Sequence, residues 1–219
     1  KEAEHFVSNL LKHLEPKSES HFLDLACGKG RHSVYINKRG HNVTGLDLSE
    51  NSITEAKKSE NESLHFGVHD MREIYQFDTF DYVFNLFTSF GYFENELDNL
   101  NVLTSTKRAL KEGGTVVIDF LNASKVISDL IPNETKSIDG IDFNIKKEIV
   151  DGKIKKHIRF EDKGIQHHYT ESVQLLNFSQ FQELFNQVGL QIIDVFGNYD
   201  LEPYDEQNSK RLIIFAQKL

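Results

Sequence analysis

The sequence predicts an α/β fold: a mainly parallel sheet covered by helices on both faces, with an antiparallel β element inserted late in the chain. Two observations carry this. Through the first 120 residues, short apolar runs alternate with stretches of helical periodicity, the pattern of strands joined by crossover helices. From about Thr135 to Leu176 that alternation stops, and β-rich segments follow each other with no helix between them.

Taken in order, His21–Ala26 reads as a buried strand broken by Gly28 and Gly30. Arg31–Arg39 is a short helix stopped by Gly40, and Asn42–Leu46 is a second strand ending in Asp47. Ser49 is placed to cap a helix over Glu50–Ser59, since its hydroxyl can accept from a free N–H of the first turn. Leu64–Val68 and Phe80–Asn85 are the third and fourth strands, the third followed by Asp70. A helix over Glu96–Leu110 carries Leu97, Leu100, Leu103 and Leu110 at helical spacing and ends in Lys111-Glu112-Gly113-Gly114, a basic residue and glycines where a C-terminus favours them. Thr115–Phe120 is the fifth strand. Asp142–Val150, Lys153–Glu161 and Gly164–Leu176 then form a meander whose junctions, Asp151-Gly152 and Asp162-Lys163-Gly164, are hairpin signals. The meander is too short to bury a core of its own, so residues 135–176 read as an insertion into a domain made of 1–134 and 177–219. Ser179 is expected to cap a helix through Val188 with Phe181, Leu184, Phe185 and Val188 inward, and Gln191–Phe196 and Leu212–Ala216 close the chain as strands.

Composition narrows the functional classes. The 219 residues include 34 acidic and 25 basic side chains, a net charge of −9, which disfavours general binding along nucleic-acid phosphates. No apolar run approaches the roughly 20 residues a membrane helix needs. Cys27 is the one cysteine, so neither an intrachain disulfide nor a cysteine-based zinc site is available. The N-terminus lacks the layout of a signal peptide, which makes the cytoplasm the expected location.

The chemistry concentrates in Asp24-Leu25-Ala26-Cys27-Gly28-Lys29-Gly30, a strand running into a glycine turn and then a helix. Glycine there lets a ligand approach the backbone closely. Asp47 ends the next strand, 17 residues beyond Gly30, where an acid can accept from both hydroxyls of a ribose. The third small position of a dinucleotide loop is Ser33. Asp24 is more telling, because a carboxylate beside the turn repels a pyrophosphate and attracts an ammonium or sulfonium. That charge logic points to S-adenosylmethionine and hence to methyl transfer.

The ordered segments LDLACGKGRHS, GLDLS, HDMR, FDYVFNLFTSFGYF and LKEGGTVVIDF resemble those of class I S-adenosylmethionine-dependent methyltransferases, over about residues 21–121. The tail GNYDLEPYDEQNSKRLIIFAQK looks like that of a small bacterial subgroup with a β insertion before the last helix. The resemblance implies a Rossmann-like sheet of seven strands, the last antiparallel. It implies that Asp24, Ala26, Gly28 and Gly30 hold the methionine portion, that Asp47 takes the ribose hydroxyls and that Leu48 packs on the adenine. Asp70 would accept from the adenine amino group and Met71 would donate its backbone N–H to the ring. Asn85 and Leu86 would line the methionine tail, with Arg31 and His32 in reach of its carboxylate or of the acceptor. Comparable enzymes cover the cofactor with an aromatic-rich N-terminal segment, and this chain opens close to the helix before the first strand.

For a general base, loop position alone offers Tyr92, His168, Tyr169, Glu171 and Tyr199. The run Phe84, Phe87, Phe90, Tyr92 and Phe93 serves either as core or as a substrate wall. Cys27 reads as a small buried residue, since no base is tied to it. His157, His167 and His168 read as solvated or hydrogen-bonded rather than metal-binding, because adjacent strand residues face opposite ways. The fourth strand leads into Asn85-Leu86-Phe87-Thr88, without the prolines of nucleic-acid amino-methylating enzymes, and no Pro-Cys nucleophile is present. With the acidic charge, these omissions favour a small-molecule methyl acceptor over DNA. The insertion is expected to roof the substrate or to form a homodimer surface. A cofactor-binding relative without catalysis is the alternative reading; a nicotinamide oxidoreductase is disfavoured by the lack of any Tyr-x-x-x-Lys pair.

Overall fold

The computed structural model describes residues 2–219. Its first half alternates as the apolar runs predict: α1 (Glu2–Leu14), β1 (His21–Leu25), α2 (Arg31–Asn37), β2 (Asn42–Asp47), α3 (Glu50–Ala56), β3 (Leu64–Val68), β4 (Phe80–Asn85), α4 (Glu96–Ala109) and β5 (Leu110–Leu121). There follow α5 (Ala123–Ser128), four consecutive strands β6 (Asn133–Ile138), β7 (Ile141–Val150), β8 (Lys153–Asp162) and β9 (Ile165–Gln174), then α6 (Phe178–Val188), β10 (Leu190–Phe196) and β11 (Arg211–Lys218).

Seven strands form one sheet in the order β10-β11-β5-β4-β1-β2-β3, and only β11 runs against its neighbours. Strand order reverses beside β1, and such a switch point leaves a crevice at the carboxyl ends of the strands. Side-chain alternation divides the core into two layers. Phe22, Phe84, Val117, Ile213 and Phe215 face α1–α3, whereas Leu23, Val83, Val116, Ile118, Leu212 and Ile214 face α4 and α6. Both faces of the central strands are buried, which is why these strands read as nearly continuous apolar runs.

The second sheet runs β6-β7-β8-β9, antiparallel throughout. Its hairpins turn on Asp139-Gly140, Asp151-Gly152 and Lys163-Gly164, each pair with both residues at positive φ, the tight turn whose twist matches that of paired strands. The sequence reading found three of these strands and not β6. That strand is polar, Asn-Glu-Thr-Lys-Ser-Ile, and lies mostly exposed at the sheet edge, so it carries no periodic apolar signal; the Asp139-Gly140 turn was the available cue. Two further expectations are corrected. Leu97 lies 61% exposed, because α4 turns Asn99, Val102, Leu103 and Thr106 inward instead. Ser179 does not cap α6: Asn177 does, its side chain accepting from the Gln180 N–H at 3.0 Å while the Gln180 side chain accepts from the Asn177 N–H at 2.9 Å.

This reciprocal cap separates the two residues experimentally. Asn177→Ala is expected to lower unfolding free energy by about 1 kcal/mol, and Ser179→Ala by less than half of that, measured by urea denaturation.

Candidate functional site

The site is built where β1, β2, β3 and β4 end together. After β1 the chain leaves the sheet through Ala26 and Gly28, both left-handed at φ 59° and 56°, and enters α2 at Gly30, φ 77°. The two glycines serve different ends. A Cβ on Gly28 would meet nothing within 4 Å, so this backbone is open to a ligand. A Cβ on Gly30 would stand 2.5 Å from the Phe66 ring, so packing by itself requires this glycine.

Asp47 ties the turn to β2. One carboxylate oxygen accepts from the Gly28 N–H and the other from the Ser49 N–H, both at 2.8 Å. A carboxylate has about four lone-pair positions, so two acceptor directions are left for ribose hydroxyls. Asp24 lies beneath the turn, 2% exposed, and accepts from the Ser33 hydroxyl at 2.6 Å. Ser33 is therefore the partner that anchors Asp24. Burial pushes the Asp24 carboxyl up to about 6, against the Ser33 hydrogen bonds, which pull it down.

A cleft of about 530 Å³ adjoins the turn, with Ala26, Asp47, Leu48, Asp70, Met71 and Tyr92 among its walls. Leu48 is 68% exposed at its rim, open to pack on a flat apolar ligand group. Among the described residues the cleft holds four carboxylates, Asp47, Asp70, Glu94 and Asp98, against one guanidinium, Arg72. Arg72 bonds Asp70 at 2.6 Å and Asp98 at 3.2 Å, and its hydrogen bonds hold the Asp70 carboxyl below the usual range. The Arg72–Asp98 link was not foreseen in the sequence reading.

Asn85 ends β4 only 2% exposed; its amide nitrogen donates to the Leu25 carbonyl at 3.4 Å and lies 3.6 Å from Met71 Sδ. Its amide oxygen is buried without a partner, an energetically costly state that a donor on a bound ligand would relieve. Leu86 is buried beside it. These residues, drawn from four separate strand ends, fit a ligand with a ribose, an adenine and a cationic tail.

On the other side of the turn, His32 stacks on Phe87 at 4.7 Å and accepts from Arg31 at 3.2 Å. Burial, aided by Arg31, lowers its pKa to about 4, so the ring is neutral near pH 7. Tyr199 packs on Phe6 at 4.3 Å and donates to Asp119 at 3.3 Å. Burial first, and the Asp119 charge second, push its phenol pKa well up, so it keeps its proton at neutral pH. Tyr92 lies at the cleft, its phenol raised by burial and by the Glu171 charge. His168 lies elsewhere, on the second sheet in a cleft sharing no residue with this one, and Tyr169 belongs to an aromatic ladder on the opposite face of that sheet.

A fully buried carboxylate, Asp119, escaped the sequence reading. It accepts from the Phe87 N–H at 2.8 Å, from Arg211 Nε at 2.7 Å and from the Tyr199 hydroxyl, while Arg211 also donates to Thr88 Oγ1 at 2.7 Å. Phe87 and Thr88 are both left-handed, φ 59° and 57°, a conformation that needs such support. Asp119 sits inside the run TVVIDF; a charge in a fully buried strand was the available signal.

Two outcomes follow. Gly30→Ala is expected to cost about 2–4 kcal/mol, from left-handed strain and overlap with Phe66, read as a fall in melting temperature. For Asp24, the folded pKa near 6 exceeds an ordinary aspartate's, so the native state binds the extra proton between about pH 4 and 6. Stability therefore falls as pH rises through that window. Asp24→Asn removes the penalty and is expected to raise stability at pH 7.5 by about 1–3 kcal/mol, with little difference from wild type at pH 4, measured by paired melts.

Comparisons with known proteins agree with this site. The family described as "Methyltransferase domain" matches residues 22–114, the stretch that contributes the glycine turn and the cleft. YqeM of Bacillus subtilis (strain 168), named as a methyltransferase, is 28% identical over 215 residues, covering 90% of this chain and 83% of its own. The dTDP-3-amino-3,4,6-trideoxy-alpha-D-glucopyranose N,N-dimethyltransferase of Streptomyces venezuelae is 24% identical over 196 residues, 85% of this chain and 81% of its own. In fold, the chain is similar to a S-adenosylmethionine-dependent methyltransferase structure from Clostridium acetobutylicum ATCC 824, with TM-score 0.87 and 17% identity over 99% of this chain and 91% of that one. A strand-end crevice with a glycine turn and a ribose-directed acid, read with these likenesses, leads to one conclusion: the chain is a class I S-adenosylmethionine-dependent methyltransferase.

Proposed function

We propose that this enzyme methylates a nitrogen of a small-molecule amine. The observation that carries the proposal is the excess of carboxylates at the cleft, four against the single Arg72 guanidinium. Such a mouth draws cationic ligands and repels phosphate-bearing polymers, and the Streptomyces venezuelae relative is named as an N,N-dimethyltransferase.

The residues divide the work as follows. Asp47 takes the ribose hydroxyls, Leu48 and Met71 sandwich the adenine, and Asp70 meets its amino edge. The Gly28 backbone, Asp24, Ala26 and Gly30 frame the methionine tail, with the Asn85 oxygen open toward its ammonium and Leu86 closing the wall. Arg31 stands toward the tail carboxylate. S-adenosylmethionine, when bound, supplies an electrophilic methyl on a cationic sulfur. Because that leaving group is already activated, the protein's task is alignment and exclusion of water. An amine arriving as ammonium must lose a proton before its lone pair can attack; Glu94 or Glu171 attracts it, and Tyr92 borders its path. His168 and Tyr199 take no part in this proton transfer.

We also infer that residues 135–176 form a unit inserted into the cofactor-binding domain, and that two copies meet through it. Support comes from the rings of Phe143, Phe160 and His167, packed in sequence at 4.7 and 4.8 Å, with exposed Ile138 and Ile165 at the same end of the sheet. Among the described residues no helix is long and apolar enough to cross a membrane. A reducing, cytoplasmic setting suits the unpaired Cys27 thiol.

Calorimetric titration with S-adenosylhomocysteine tests the cofactor assignment. Asp47→Ala is expected to weaken binding by about 1.5–3 kcal/mol, the scale of hydrogen bonds to a charged group. With an amine acceptor in hand, Glu94→Gln is expected to raise KM severalfold and leave homocysteine-form affinity unchanged. An acceptor alkylated on oxygen or carbon in preference to nitrogen would overturn the amine proposal and leave the cofactor assignment standing.

A further inference from the structure

One face of the inserted sheet is not used by methyl transfer, and it has a chemistry of its own. Strand register sets two rows side by side across all four strands. Thr135, Asn144, Arg159 and His168 form one row; Asn133, Lys146, His157 and Thr170 form the next. Residues directly opposite each other share a face, so these side chains stand together, and all but Thr170 line a cleft of about 660 Å³.

The two rows carry no acid, unlike the molecule as a whole. In a chain of net charge −9, two adjacent rows collect a guanidinium, an ammonium and two imidazoles among hydroxyls and amides. The acids at the cleft are already engaged. Glu148 pairs with Lys146 at 2.8 Å and with His157 at 3.2 Å, and Glu134 with Lys147 at 2.6 Å. Among the described residues the Arg159 side chain makes no hydrogen bond or ion pair, and the His168 ring stacks on the His157 ring at 5.9 Å. Lys146 and His157 thus have an acid beside them, and among the described residues the Arg159 guanidinium is the charge of this cleft left without a partner. Arginine's planar fork matches the paired oxygens of a phosphoryl group, and neighbouring neutral donors such as Asn144 and Thr135 suit the remaining oxygens.

The structure assigns this cleft to the phosphoryl oxygens of a small molecule. Its volume lies in the range of small-ligand sites. A nucleic acid would need a longer basic track than two rows of one sheet. The assignment does not rest on the amine proposal, because the cleft shares no lining residue with the cofactor cleft. It gives the strand Lys153–Asp162, with its run of lysine, histidine and arginine, a role that the methyl-transfer site does not.

Titration calorimetry at low salt with inorganic pyrophosphate and, separately, with uridine diphosphate tests this; uracil is chosen so that an adenine site does not compete. Wild type is expected to bind at least one probe saturably with submillimolar Kd. Arg159→Gln with His168→Gln should weaken that binding at least tenfold, while Lys58→Gln, a surface lysine on another face, leaves it unchanged. Affinity for S-adenosylhomocysteine should be equal in all three. Tighter binding of uridine diphosphate identifies a nucleotide-bearing ligand, and equal binding identifies the diphosphate alone as sufficient; both support the site. A variant-free readout is the shift of the Arg159 and His168 amide resonances on titration. No saturable binding, an equal loss in Lys58→Gln, or unchanged binding in the double variant would overturn the assignment.

Discussion

The Phe66 ring occupies the space that side chains at Gly30 and Gly45 would need, with would-be Cβ contacts of 2.5 and 2.6 Å. This one contact lets β2 and the start of α2 close over β3, and so sets the height of the glycine turn above the sheet. The turn's height in turn decides where the Gly28 N–H points, and Asp47 can grip it at 2.8 Å only from there. A cofactor site described through its polar groups thus depends on an apolar ring packed against two missing side chains. The arrangement is economical, because the same close approach that excludes a Cβ also excludes water from beneath the turn.

The opposite wall is held by polar means. Asp119 gathers the β4 loop, the Tyr199 segment and the start of β11 around one buried carboxylate. Removing a single partner would leave a charge buried without compensation, which is far more costly than the net value of the pair. Phe87 rests on this knot, and Phe87 carries His32 and faces Phe6. The helix at the beginning of the chain and the strand at its end therefore meet on the same side of the cleft.

Much of this was legible in the sequence, for identifiable reasons. Buried parallel strands leave unbroken apolar runs, so β1, β2, β4 and β5 announce themselves, and glycines at forced positive φ mark the turn between β1 and α2. Asp47 was readable because its place is fixed by local spacing. What escaped depends on partners distant in sequence. Asp119 and Arg211 are 92 residues apart, and neither has a neighbour that betrays the other. The strand β6 escaped because an exposed edge needs no apolar pattern. The packing role of Gly30 escaped for a related reason, since a glycine kept for a ligand and a glycine kept for a ring look the same in a sequence.

The four-stranded sheet meets the seven-stranded one at a junction of hydrogen bonds and core packing. The Gln174 amide accepts from Asn99 at 2.6 Å and donates to the Phe93 carbonyl at 3.1 Å; Lys153 donates to the same carbonyl at 3.2 Å, and the Gln174 backbone N–H to the Gly91 carbonyl at 2.9 Å. Two of its acceptors, the Gly91 and Phe93 carbonyls, are backbone atoms that any sequence presents. Gln174, Asn99 and Lys153 supply its polar side chains, while Val173 joins the main core and Ile154 packs against it. A sheet anchored where β9 ends and β8 begins carries its outer hairpins, at Asp139-Gly140 and Lys163-Gly164, on the far ends of its strands.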